Sequence, residues 1–197
     1  MNQRAYKAFI SYSHQDERWA AWVHNQLESY RVPRRLALSS AIDRLAPIFR
    51  DRDELPASSN LSDTIQDALS RSDALIVICS PAAVASRWVG EEIALYKRLG
   101  RGPIICMIVD GEPGSGGQEC FPEAVRFDID EAGRHTPIEP VAADVRAQGD
   151  GRRTAMLKIA AALLGVGLHQ LIERDSRRRM RRLFAISCGS IAGMALA

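Results

Sequence analysis

The sequence predicts an α/β fold whose central parallel sheet is covered by helices on both faces. Ala74 to Cys79 (ALIVIC) and Ile104 to Val109 (IICMIV) are continuous apolar runs of strand length, the kind buried from both sides in a parallel sheet. Strand-like and helix-like segments alternate along the first 110 residues, the pattern of a layered α/β structure with right-handed crossovers. The 197 residues, 46% of them hydrophobic, suffice for one globular unit with a short appendage.

Each element follows from local chemistry. Tyr6 to Ser11 (YKAFIS) is a short buried strand that the polar stretch Tyr12 to Glu17 interrupts. Asp16 suits the N-cap of a helix in which Trp19, Trp22, Val23 and Leu27 recur at helical spacing to about Tyr30, the tryptophans as core anchors. Val32 to Ala41 is a basic, Ser-rich loop with Pro33, and Ala46 to Arg50 is a second strand. Asp51 to Asn60 is a charged loop carrying Pro56, and Leu61, Ile65, Ala68 and Leu69 mark a helix ending near Ser72. After ALIVIC the chain turns through Pro81 into a helix from Trp88 to Leu99, which Gly100 and Gly102 stop before IICMIV. Gly111 to Gly117 is a loop, Cys120 to Phe127 holds a turn of helix, and Ile138 to Val145 supplies an edge strand broken by Pro140. Thr154 to Leu164 and Leu168 to Arg182 are helices, and the second continues into an apolar tail. The overall expectation is a flavodoxin-like layer structure, in which ligands bind beyond the carboxyl ends of the strands.

Composition excludes several classes. The formal charge of +2 is unevenly distributed, because Arg174 to Arg182 holds six arginines and one acid. The basic signal is therefore local and does not describe a nucleic-acid-binding domain. Cys79, Cys106, Cys120 and Cys188 are scattered, with no CxxC pair or metal-ligand spacing, so reduced thiols are expected and no metal site. The polar start, Met1 to Lys7, running straight into a strand, is expected to hold no signal peptide. Leu183 to Ala197 is apolar and uncharged for fifteen residues, where a spanning helix needs about 20. Behind RRRMRR it resembles the first part of a transmembrane helix that holds the preceding domain on the cytoplasmic side. Gly189 and Gly193 have a GxxxG spacing, a weak signal for helix pairing. A short amphipathic tail, or a helix packed on the domain, is the alternative.

Glu92 stands out. Advancing about 100° per residue from Trp88 places Leu99, Tyr96, Val89, Ile93 and Leu95 on one apolar arc, and Glu92 falls inside it at roughly 40°. Glu91, at about 300°, points to the solvated side with Arg98. A carboxylate on a buried face costs about 3 kcal/mol or more unless it is protonated, paired or aimed into a polar cleft. Either Glu92 is a core carboxylate paired with an arginine, or the helix is placed slightly differently, or Glu92 is a catalytic acid lining a pocket.

Three blocks resemble the Toll/interleukin-1 receptor (TIR) domain family. FISYSHQDE (Phe9 to Glu17) is similar to its first strand and following loop, and IFRDRDELPASSNLSDTIQDAL (Ile48 to Leu69) to its second strand, mobile loop and next helix. LIVICSPAAVASRWVGEEI (Leu75 to Ile93) is similar to the third strand and the segment bearing the family's catalytic glutamate. That glutamate follows a tryptophan by four residues and precedes a branched apolar residue, a pattern met by Trp88, Glu92 and Ile93 and not by Glu91. The chain departs from the family in having Ser58 and Ser59 where a loop glycine is common.

The resemblance implies a TIR domain over residues 1–165, and the basic run and apolar tail after it are expected to form a basic juxtamembrane helix over 166–182 and the start of a membrane helix over 183–197. The resemblance further implies cleavage of NAD, as substrate and not cofactor, at the nicotinamide–ribose bond, giving nicotinamide and ADP-ribose or a cyclised form. Nicotinamide leaves NAD as a neutral molecule without being protonated, so one carboxylate that stabilises the ribose cation meets the chemical need. By resemblance Phe9, Ser11 and Tyr12 line the nucleotide pocket, while Arg50 and Asp51 begin the mobile loop that gates it and touches a neighbouring subunit. Arg52, Asp53 and Glu54 belong to the same loop or are solvated charges. Ser13 and His14 contact phosphate or, more simply, make a turn. Ser80 and Ser86 touch ribose or cap the loop and helix, and Trp88 positions the helix by packing or serves as a stacking platform. The family also implies self-association and work in antiphage defence, while the arginines and apolar tail are expected to place the domain on the cytoplasmic face of a bacterial inner membrane. A non-enzymatic adaptor acting through TIR–TIR contacts is the alternative; activity on nucleic acid is disfavoured by the lack of a basic stripe.

Overall fold

A computed structural model of the chain describes residues 5–33, 43–50, 61–129 and 135–172. Five strands make a parallel sheet: β1 (Ala8–Ser11), β2 (Ile48–Arg50), β3 (Leu75–Cys79), β4 (Ile104–Ile108) and β7 (Ala142–Asp144), in the order β2-β1-β3-β4-β7. The fully buried β3 is central because all five of its residues are apolar. The registers Phe9↔Leu75, Ser11↔Val77 and Val77↔Cys106 align the carboxyl ends of β1, β3 and β4 along one rim.

Strand alternation sorts side chains into two cores. Ala8, Ile10, Ile76, Ile78 and Met107 face α1 (Glu17–Glu28) and α6 (Gly151–Leu164), where Val23, Leu27, Ile159 and Ala160 meet them. Phe9, Leu75, Val77, Cys79 and Cys106 face α2 (Leu61–Ser70), the short α3 (Pro81–Val84), α4 (Arg87–Leu99) and α5 (Glu123–Arg126), which contribute Leu69, Ala83, Val89, Ile93 and Val125. Each such aliphatic side chain taken fully from water contributes about 1.5–3 kcal/mol. Because α1 and α2 lie on opposite faces, the strand order reverses between β1 and β3, and the rim there is the topological switch point where open α/β sheets bind ligands.

Several expectations are corrected. The first strand begins at Ala8, with Tyr6 making only an isolated bridge to Ser72. Phe127–Ile129 (β5) and His135–Pro137 (β6) form an antiparallel pair that the sequence pattern did not suggest, and the edge strand starts at Ala142, beyond Pro140. Trp19 and Trp22 are only partly buried; they meet edge to face at 5.8 Å, and the Arg152 guanidinium lies 4.9 Å from the Trp19 ring. Helical residues 168–172 follow α6. Among the described residues no helix is long and apolar enough to cross a membrane. The basic run, the apolar tail with Gly189, Gly193 and Cys188, and the loop from Asp51 through Ser59 lie outside the described residues.

Candidate active site

Helix α4 is set by its ends. Ser86 Oγ accepts a hydrogen bond from Val89 N at 3.4 Å, and Gly100 stops the helix in the left-handed region at φ 56°. Gly102 then lets the chain pass Asp73, whose carbonyl oxygen would lie 2.0 Å from any Cβ at that position. Between these ends Val89, Glu92, Ile93 and Tyr96 turn inward. Glu91 points out and pairs with Arg87 at 2.6 Å, one helical turn away.

Glu92 is 9% exposed, and its Oε2 accepts a hydrogen bond of 2.5 Å from Ser11 Oγ. Ser11 is the last residue of β1 and faces α4 by strand alternation, so sheet and helix meet through this bond at the switch point. The carboxylate also borders a cleft of about 210 Å³ between α2 and α4, whose walls include Ile65, Gln66, Trp88, Leu95 and Arg98. Larger hollows exist elsewhere. A groove of about 570 Å³ on the other flank of α4 is lined by Ser86, Gly90, Ala94 and Phe127, and one of about 400 Å³ lies by Gly102 and Val141; Glu92 borders neither. Volume therefore points away from the inward carboxylate, and chemistry favours the smaller cleft.

The proposed binding residues are not all brought together. Ser11 and Trp88 join Glu92. Trp88 is 61% exposed, so the expectation that it packs the helix in place is not met, and it lines the cleft beside Glu92. Phe9 shares the face of Ser11 but is wholly buried and stacked on Phe49 at 5.1 Å, which makes it core and not a contact surface. Tyr12 packs into the opposite core with α1, and Arg50, paired in register with Ile10, is on that same side of the sheet. Ser86 caps α4 and faces away from the cleft. Asp51 lies outside the described residues. His14 belongs to a short 3-10 turn, His14–Asp16, with Ser13 at its start.

Ser80 reveals a residue that sequence reasoning undervalued. Its hydroxyl caps α3, accepting from Ala83 N at 3.0 Å, and donates to Asp16 Oδ2 at 2.5 Å. Asp16 does occupy the N-cap position of α1, yet its side chain makes no capping bond there. Burial pushes its carboxyl above the ordinary aspartate value and the nearby Asp110 charge adds to this, while the Ser80 hydroxyl opposes both. A capping preference hid this role, since the same residue type serves both. No group of three or more His, Cys, Asp or Glu side chains among the described residues is placed to hold a metal ion.

Comparison with known proteins gives the family. The family model of the TIR domain matches residues 8–138. The chain is 31% identical over 214 aligned residues to the NAD(+) hydrolase ApTIR of Actinoplanes sp. (strain ATCC 31044 / CBS 674.73 / SE50/110), an alignment covering 98% of this chain and 29% of that protein. The chain thus spans under a third of that relative's length. The TIR domains of the activated Roq1 resistosome recognising the effector XopQ are similar at 19% identity and a TM-score of 0.42, over 55% of this chain and 60% of theirs. The TIR domain of the Toll-related receptor TRR-2 of Hydra magnipapillata is similar at 17% identity and a TM-score of 0.39, over 57% of this chain and 77% of its own. With the family model matching from the first strand to the segment before the last one, the chain belongs to the TIR domain family.

Proposed function

We propose that the domain is an NAD glycohydrolase in which Glu92 stabilises the ribose cation formed as nicotinamide leaves. The observation that carries this reading is the inward Glu92 carboxylate, bonded to Ser11 at the switch point and bordering a cleft between α2 and α4. The 31% identity to an NAD(+) hydrolase supports it. In the reaction the bond between ribose C1′ and the pyridinium nitrogen breaks, and its electron pair leaves with neutral nicotinamide. Water oxygen then bonds to C1′ and one proton passes to solution; attack by an adenine nitrogen instead gives the cyclic product. A negative carboxylate beside C1′ lowers the barrier because positive charge develops there, and burial strengthens that interaction. Ser11 keeps the carboxylate oriented, and Trp88 presents a flat apolar face to the nicotinamide ring.

The cleft is smaller than the about 300–1,000 Å³ of typical small-molecule sites. It accommodates the ring and its ribose, leaving the rest of NAD to lie against other surface. Self-association that brings a second copy over the cleft supplies such surface; Arg50, on the other side of the sheet from the cleft, and Asp51 are proposed as contacts between copies from the family resemblance alone. Tethering by residues 183–197, proposed from the apolar tail, and a role in antiphage defence, proposed from the family resemblance, complete the reading. The test is to incubate concentrated or artificially clustered protein with NAD and follow free nicotinamide. Release that Glu92→Ala abolishes is the expected result. Release that survives this substitution refutes the assignment, and assembly without turnover of NAD or NADP favours the adaptor.

A further inference from the structure

We propose that the buried Asp16–Ser80 hydrogen bond is a latch that holds Ser11 and Glu92 in register, making Asp16 and Ser80 positioning residues for the reaction at Glu92. This inference rests on the glycohydrolase reading for its kinetic consequence and on geometry alone for the coupling itself.

Two chain segments meet at the switch point. One runs from Ser11 through the 3-10 turn to Asp16; the other runs from Ser80 through α3 to Glu92 on α4. They are cross-linked twice by side chains, through Ser11 Oγ to Glu92 Oε2 and through Ser80 Oγ to Asp16 Oδ2, each at 2.5 Å and each buried. The first link contains the reacting carboxylate, and the second lies five residues from Ser11 on one side and twelve from Glu92 on the other. Between Ser80 and Glu92 the path is short and capped: Ser80 receives Ala83 N, and Ser86 receives Val89 N. A change at Ser80 is thus passed to the start of α4 through hydrogen-bonded turns instead of a slack loop.

Stability alone is a poor reason for this pair. Asp16 is 7% exposed and its burial opposes ionisation, a cost that an apolar pair of similar volume would not carry. Its position offers an exposed and cheaper use, capping α1, which the side chain does not take. The directional bond to Ser80 instead fixes one relative placement of the two loops, which packing of small side chains would leave looser. Orientation is what the chemistry needs, since a small misplacement of a charged group costs rate while leaving substrate affinity nearly intact.

The experiment compares wild type, Ser80→Ala, Ser80→Thr and Asp16→Asn by NAD kinetics and by the ¹³C resonance of the Glu92 carboxyl, with Glu92→Gln as the control for the glycohydrolase reading. Ser80→Ala is expected to lower kcat about tenfold with KM within about twofold, and to move the Glu92 resonance. Ser80→Thr keeps the donor hydroxyl and is expected to restore both. Asp16→Asn keeps an acceptor oxygen and a folded chain, and is expected to fall between wild type and Ser80→Ala, which preserves the test should Ser80→Ala not fold. An unmoved Glu92 resonance and unchanged kcat in Ser80→Ala, or in Asp16→Asn where only that variant folds, overturn the latch. If wild type and Glu92→Gln are equally silent towards NAD, the glycohydrolase reading fails, and the resonance still decides the latch.

Discussion

Glu92→Gln separates a working carboxylate from a structural one. The amide has the volume of the acid and retains an oxygen to accept the 2.5 Å bond from Ser11 Oγ, so the packing around α4 and that contact survive. What disappears is a charge held in a site only 9% exposed, whose desolvation opposes folding. Relief of that cost is expected to leave stability unchanged or raised by up to about 1 kcal/mol, a rise of about 0–4 °C in melting temperature for a chain of this size. Turnover moves the other way. Removing one electrostatic stabiliser of a developing charge costs about 10²–10³ in rate, or about 3–4 kcal/mol of barrier. Thermal unfolding followed by dye fluorescence gives the first quantity, and chromatographic nicotinamide release gives the second. A variant that melts well below wild type while keeping its turnover refutes the reasoning, because Glu92 would then serve the fold and not the reaction.

Other outcomes follow from the same geometry. Ser11→Ala removes a donor to Glu92 and is expected to lower kcat about tenfold while costing about 1 kcal/mol in urea unfolding. Trp88→Ala, at an exposed position, is expected to raise KM severalfold and to leave the melting temperature within about 2 °C of wild type. Two acids give opposite pH dependence, measurable as unfolding free energy against pH. Asp144, held below its ordinary value chiefly by its hydrogen bond from Arg146, contributes stability that is present above about pH 4 and lost as pH falls further through its folded value. Asp16 is raised instead, so the folded chain binds its proton more readily, and stability falls as pH rises from about 4 through the folded value; Asp16→Asn is expected to remove that slope. Cys79, Cys106 and Cys120 are free and buried, with burial pushing Cys120 up to about 11, so these three thiols are expected to react with a disulfide reagent only on unfolding.

Most of the sheet was legible because its strands are short, apolar and separated by ordinary turn chemistry. The continuous runs around Val77 and Cys106, of strand length and bounded by turn residues, match the covered middle of a parallel sheet, where the structure has them. Glu92 was legible for the converse reason, a polar residue on an apolar arc, which periodicity detects without knowing what lies opposite. Partners across the fold were not. Nothing local distinguishes Asp16 as a helix cap from Asp16 as the acceptor for Ser80, since the choice depends on a loop 64 residues away. Phe9 and Tyr12 flank the right strand end but alternate to opposite or fully covered positions, and Trp88, beside the apolar arc, is left 61% exposed. The β5–β6 pair escaped notice because FDI and HTP are too short and too polar to show a period.

The most direct measurement is the structure of the protein with NAD, or with an analogue that resists cleavage, bound under conditions of assembly. The account predicts the nicotinamide-bearing ribose in the α2–α4 cleft with C1′ within about 4 Å of a Glu92 carboxyl oxygen and the ring against Trp88. A ribose seated in the groove on the far flank of α4, with Glu92 still closed on Ser11 and apart from the ligand, contradicts it.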